Sequence, residues 1–218
     1  MQKSLKKHNR KIIKCKKCPR LAKYIRNIPK PKRFQDQPYW AKPLPGFGDV
    51  NAKVLIVGLA PAAHGGNRTG RMFTGDSSGD WVAKTLYQNK FANKQTSTHN
   101  KDGFSLTNAY ITAVVRCAPP KNKPLPEEIA SCSNYLETEL KLLENTKVLV
   151  CLGRIAFTQL CKILGIKGEQ FSHGHTFSWN HYTIICSYHP SRQNTQTGRL
   201  SWKDWNVIFK KARKMSEI

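Results

Sequence analysis

Two stretches of this chain carry side chains able to do acid–base chemistry beside an aromatic surface. The first, VGLAPAAHGGNRTGRMFTGDSSGD from Val57 to Asp80, sets His64, Arg68, Arg71, Phe73 and Asp76 among five glycines from Gly58 to Gly75. The second, YHPSRQNTQTGR from Tyr188 to Arg199, carries His189, Ser191, Arg192, Asn194, Thr195 and Arg199. An imidazole can stabilise a leaving anion, a carboxylate can orient or deprotonate water, and a phenyl ring can stack on a planar ligand. The four arginines, with Ser191, Asn194 and Thr195, could hold phosphates as the two loops grip a nucleic-acid backbone. A glycine-rich loop also lets backbone amides approach a ligand closely.

A third set is made of thiols. Cys15 and Cys18 form CKKCP, and Cys117 and Cys132 lie fifteen positions apart in RCAPPKNKPLPEEIASC. Two near and two distant cysteines could make a four-thiolate site, and spacing alone does not separate zinc from an iron–sulfur cluster. Cys151, Cys161 and Cys186 sit in apolar patterns and read as core packing. His173, His175 and His181 lack a carboxylate or cysteine companion and read as surface residues.

The elements that must position these groups follow a strand-then-helix alternation. Val54–Val57, about Ala109–Val115, Lys147–Leu152 and Tyr182–Ser187 are short apolar runs of the kind buried on both faces of a sheet. Helices are expected from Ser77, with Ser77 capping and Asp80 closing a capping box, from Pro126, from Arg154 to Leu164, and from Ser201 with Asp204. Residues 29–49, rich in proline and glycine, read as irregular, and 90–103 as a loop. The alternation predicts a doubly wound parallel sheet, with both chemical loops at the carboxyl ends of its first and last strands, where such folds keep their ligands. His64, Phe73, Asp76 and His189 would then converge in one cleft.

The formal charge of +24, from 37 Lys and Arg against 13 Asp and Glu in 218 residues, implies a polyanionic partner. Nucleic acid is favoured over a membrane surface, since no amphipathic basic helix stands out and no apolar run approaches the roughly 20 residues a bilayer span needs. The basic N-terminus lacks an apolar signal region, which points to a cytoplasmic or similarly reducing compartment, where thiols serve as ligands more often than as disulfides.

GLAPAAHGGNRTGRMFTGD (Gly58 to Asp76), RCAPPKNKP (Arg116 to Pro124) and HPSRQNTQTGRL (His189 to Leu200) resemble the three signature motifs of the type-b uracil-DNA glycosylases. This is the iron–sulfur group counted as the fifth family of that superfamily. The N-terminal CxxC matches as well, so the resemblance spans nearly the whole chain. It implies a three-layer α/β/α fold with a central four-stranded parallel sheet, as one domain whose basic segment, about 1–50, is tied in by the cluster. It further implies a structural [4Fe-4S] cluster on Cys15, Cys18, Cys117 and Cys132, and hydrolysis of the N-glycosidic bond of uracil and other deaminated bases in DNA, the first step of base excision repair.

In that reading Phe73 stacks on an extruded base, and His189 with backbone amides from Gly58 through Leu59 to Ala60 stabilises the departing anion. Asp76 positions water, Asn122 touches the base or assists the water, and His64 belongs to the base-binding set. The loop from Pro190 to Arg199 enters the duplex. Sister families carry a carboxylate or amide where this chain has Ala60-Pro61-Ala62-Ala63, and an asparagine that reads uracil where it has Ala113. The resemblance therefore implies a monofunctional, monomeric enzyme of broad base range, of bacterial or archaeal type and associated with the nucleoid. A rival of another class is a non-catalytic iron–sulfur module that binds damaged or single-stranded DNA.

Overall fold

The computed structural model describes residues 2–217. Six strands form one sheet: β1 (Phe47–Gly48), β2 (Val54–Gly58), β3 (Ala109–Ala113), β4 (Val148–Leu152), β5 (Thr176–Trp179) and β6 (Tyr182–Ser187). Among the described residues eight α-helices surround them: α1 (Gln2–Ile13), α2 (Pro19–Arg26), α3 (Gly66–Thr69), α4 (Ser77–Gln88), α5 (Pro126–Leu142), α6 (Arg154–Leu164), α7 (Arg192–Gln196) and α8 (Trp202–Met215). The sheet order is β1-β3-β2-β4-β6-β5, with the middle four strands parallel and the two edges antiparallel.

The expected four-stranded parallel core is therefore present, and two edge strands are added to it. β1 has only two residues, too few to show a period in a proline-rich segment read as irregular.

Every residue of β2, β3 and β4 is buried, and alternate side chains feed two separate cores. Leu55, Val57, Tyr110, Leu149, Cys151 and Ile184 pack under α1, α2, α5 and α6. Val54, Ile56, Ile111, Val148, Val150 and Ile185 pack under α4 and α8. The period of two along each strand thus makes the three layers, because successive Cβ atoms leave opposite faces of a sheet. The chain runs from β2 outward to β3, then crosses back to β4 and continues to β6. That reversal opens a crevice at the carboxyl ends of β2 and β4.

Three helix starts define the site's surroundings. α4 is capped by Asp76, whose carboxylate accepts the Gly79 amide at 2.9 Å; the cap expected at Ser77 thus falls one residue earlier. At α8 the expected cap holds but the box does not close: Ser201 Oγ accepts the Asp204 amide, while the Asp204 carboxylate accepts the Ser201 hydroxyl at 2.6 Å and not its backbone amide. At α5, Glu128 accepts the Leu125 amide and a two-pronged contact from Arg20, which joins α2 to α5.

Contrary to the expectation, the N-terminus does form a basic amphipathic helix. α1 buries Leu5, His8 and Ile12 on one face, and histidine supplies the middle anchor that an apolar count overlooks. No helix among the described residues is long and apolar enough to cross a membrane.

Candidate active site

Phe73 is the bulkiest feature at the carboxyl end of β2, and it sits in backbone space that a β-carbon disfavours, with φ of 47°. Two glycines hold it there. A Cβ on Gly58 would lie 2.6 Å from the Phe73 ring, and one on Gly79 would lie 2.6 Å from the Phe73 carbonyl oxygen. The ring therefore lies flush on the end of β2, while the first turn of α4 pins its backbone. Strain of this kind persists only where the surroundings over-determine it.

From the other wall comes His189, just after β6. Its ring centroid lies 5.8 Å from that of Phe73, at 32° between planes. Asn194 Nδ2 donates to the His189 carbonyl at 2.8 Å and ties α7 back to it. The imidazole nitrogens have no hydrogen-bond partner among the described residues, and burial lowers the pKa to about 4, so the ring is neutral at pH 7.

Asp76 closes the third side. Oδ1 caps α4, while a Cβ on Gly65 would meet Oδ2 at 1.9 Å, so that glycine makes room for the carboxylate. Burial raises the carboxyl pKa above its usual value, against the Gly79 amide, which lowers it.

These groups surround a cavity of about 450 Å³, which Leu59, Ala60, Asn122, Ser191 and Arg192 also line. Asn122 is exposed and ends a one-turn helix, Pro120–Asn122, in which Lys121 and Asn122 both have positive φ. Asparagine tolerates that conformation, and here it presents the amide to the cavity. Met72, Ser77, Ser78 and Gln193 also line it. No signal marked them as lining residues in the sequence, where Ser77 reads only as a helix cap and the others as common polar or apolar residues near the motifs.

A second chamber of about 500 Å³ adjoins the first and shares Asp76, Ser77, Asn122 and Arg192 with it. Its far wall is Arg33, Phe34, His64 and Asp80. His64 thus lines this neighbouring chamber and not the Phe73–His189 cavity; its Nδ1 lies 2.9 Å from the Tyr39 hydroxyl, and burial lowers its pKa.

Two arginines expected at phosphates are placed elsewhere. Arg71 is buried, pairs with Asp102 at 2.9 Å, bonds Ser97 and lies over the rings of Phe47 and Phe104. Arg68 spends its guanidinium on the carbonyls of His64 and Gly75 and on Gln37, and stacks on Phe34. Both are internal braces of the glycine-rich loop. Arg192 and Arg199 are exposed: Arg192 Nε lies 3.3 Å from Ser77 Oγ across the mouth, and Arg199 lies over the Tyr188 ring. Ser191 caps α7, and Thr195 bonds the Ser191 carbonyl.

His173 departs from the surface reading. Partly buried, it stacks on Tyr188 at 5.1 Å between centroids and accepts the Tyr188 amide, and so it orients the residue before His189. His175 pairs with Glu169, and His181 is exposed.

Cys15, Cys18, Cys117 and Cys132 come together beneath α1 and α2. Burial, with Cys132, Glu128 and Cys15 beside it, pushes Cys18 up to about 11. Burial likewise raises Cys117, helped by Cys132, Cys15 and Cys18. Cys132 is raised by burial but accepts the Arg116 amide, and the Tyr135 hydroxyl bonds Cys15. Among the described residues, no group of three or more His, Cys, Asp or Glu is arranged to hold a metal ion. Cys151, Cys161 and Cys186 are buried, as their patterns imply.

A switch-point cleft that sets a strained aromatic ring, a neutral imidazole and a buried carboxylate around one cavity is suited to a base drawn out of nucleic acid. The sequence model of the uracil DNA glycosylase superfamily matches residues 45–213, and the chain belongs to that superfamily. The type-5 uracil-DNA glycosylase of Thermus thermophilus is 44% identical over 216 residues, covering 95% of this chain and 96% of the relative. That of Pyrobaculum aerophilum is 42% identical over 202 residues, covering 93% and 89%. A type-4 enzyme of the same archaeon is 29% identical over 167 residues, covering 76% and 69%. Within the superfamily, the chain's place is with type 5.

Proposed function

We propose that this protein hydrolyses the N-glycosidic bond of uracil in DNA and extends the same chemistry to other deaminated bases, leaving an abasic site for excision repair. The arrangement that carries this reading is Phe73, His189 and Asp76 around one cavity. A stacked base is inaccessible, so the nucleotide swings out at a cost of a few kcal/mol, offset by contacts to the distorted backbone. The base slides onto Phe73. As its bond to the sugar lengthens, negative charge gathers on the base, and the neutral His189 ring with amides at the end of β2 donates hydrogen bonds to it. Asp76, its carboxylate held beside the sugar, orients water and offsets the positive charge of the oxocarbenium-like sugar. Asn122 lies within reach of base or water, and Arg192, Ser191 and Arg199 hold the phosphates on the rim.

Broad specificity rests on Ala113, which pairs in register with Gly58 at the end of β3. A side-chain amide there would reject any base lacking its complement, because a buried polar group would be left unpaired. Alanine applies no such penalty, so hypoxanthine, xanthine and etheno-cytosine join uracil opposite guanine as substrates.

Cys15, Cys18, Cys117 and Cys132 fit a [4Fe-4S] cluster. Four thiols from the N-cap of α2, from α5 and from the segments after α1 and β3, with Cys18 and Cys117 each raised by burial and by others of the set, suit a thiolate-held group whose cationic irons would reverse that rise. Bound there, the cluster would cross-link α1 and α2 to α5 and the loop after β3. A monomer acting in the cytoplasm, close to DNA, completes the proposal.

The test is incubation with duplexes holding one U·G, hypoxanthine·T or xanthine·C pair, followed by alkali. Strand cleavage at each is expected. Tight binding without cleavage would mark a binding module, and cleavage at uracil alone would remove the broad range.

A further inference from the structure

Fourteen of the 37 Lys and Arg lie in the first 33 residues, a tract without one Asp or Glu, and all fourteen are exposed. Among the described residues only Arg20 of these has a carboxylate partner, Glu128. More than half of the formal +24 is thus carried by α1, α2 and the segment to Arg33, and those helices bury their apolar residues, Leu5, Ile12, Leu21 and Ile25, in the core. What they show to solvent is charge without an apolar face, which fits phosphates and not a lipid surface, where an interfacial helix must bury apolar side chains.

This surface runs into the cleft. The end of α2 is tied to the glycine-rich loop by Asn67 Nδ2, which donates to the Ile25 carbonyl at 3.2 Å. Lys30 is spent bracing the segment through the Gln37 carbonyl and the Tyr39 ring. Arg33 and Phe34 form a wall of the second chamber, next to Asp76 and Arg192. Lys23 and Arg26 in the last turn of α2, and Lys32 and Arg33 on the segment that leads from it to the chamber wall, remain exposed and, among the described residues, without a carboxylate partner.

Resting on the glycosylase reading above, we propose that Lys23, Arg26, Lys32 and Arg33 form a phosphate track that holds the duplex flanking the extruded nucleotide. It contributes affinity for undamaged DNA on one side of the lesion and keeps the enzyme on the duplex as it searches.

Changing all four to Gln in the full chain and measuring affinity for a 30-base-pair undamaged duplex against salt tests this. Each phosphate contact contributes roughly 0.9 to the log–log slope, so the variant should be shallower by about two or more. Removing Lys53 and Lys147, just before β2 and β4 at the amino end of the sheet and so opposite the cleft, should leave the slope unchanged. Acetylation of wild-type protein, read by mass spectrometry, should show Lys23 and Lys32 protected by duplex; this arm needs no variant to fold. An unchanged slope, unprotected lysines, or an equal loss in the Lys53 and Lys147 control overturns the track. So does a variant that loses affinity for anionic vesicles while its duplex slope stays. Excision of uracil by the wild type, assayed in the same samples, reports separately on the glycosylase reading.

Discussion

Asp76 is both a helix cap and a wall of the cavity, and substitution can separate the two. Asparagine caps helices as well as aspartate does, so Asp76→Asn should keep the melting temperature while excision falls by roughly 10²-fold or more. Alanine should cost, in addition, about 0.5–2 kcal/mol of stability. The pH profile gives a second signature. With its pKa raised by burial, the carboxyl takes up its proton as pH falls while ordinary aspartates are still ionised. The wild-type rate should therefore decline on the acid side with an apparent pKa above 3.8, and Asp76→Asn should lack that limb. His189→Ala should also lose roughly 10²-fold or more and still bind abasic DNA; wild-type turnover in either variant removes that residue from the chemistry.

At the scale of elements, the loop between β2 and α4 works as a braced frame. Gly58→Ala should push the Phe73 ring off the end of β2, and a displacement near 1 Å is enough to cost about 10–10²-fold in kcat/KM. An unshifted kcat/KM would mean that the ring does not carry the base. The arginines divide in a way only coordinates reveal. Arg192→Ala should flatten the salt dependence of DNA binding by about 0.9. Arg71→Ala should leave that slope alone and destabilise the fold, because the guanidinium's packing on Phe47 and Phe104 and its pairing with Asp102 are lost while Asp102 keeps the amides of Thr98, His99 and Phe104. Chain order and the apolar runs of β2, β3, β4 and β6 were readable because strands buried on both faces leave an unbroken signature. Composition could not tell Arg71 from Arg192, since guanidinium is equally suited to a phosphate, a carboxylate or an aromatic face. Nor could it show that His64 opens on a neighbouring chamber, which depends on the fold of α3.

For the molecule as a whole, the proposed cluster and the sheet share the work of stability. If Cys117 is a ligand, Cys117→Ser should bleach the brown colour expected of the wild type and lower the melting temperature, with the greatest loss of amide protection in α1 and α2. A colourless, zinc-loaded wild type would exclude the cluster. The thiol set was legible as four cysteines with a proline-rich loop between the last two, whereas the two-core layering was legible only through the alternation along each strand. α1 was missed because His8 occupies its buried stripe.

The ring of Phe73 lies against Gly58, and its backbone is held against Gly79. One wall of the cavity is therefore fixed, and if the proposed breadth of substrates holds, the fit to each outline is set on the wall opposite, by Asn122 on its exposed turn and Gln193 on the five-residue α7. Someone wishing to retrain this enzyme's diet would leave the anvil alone and file the tool opposite.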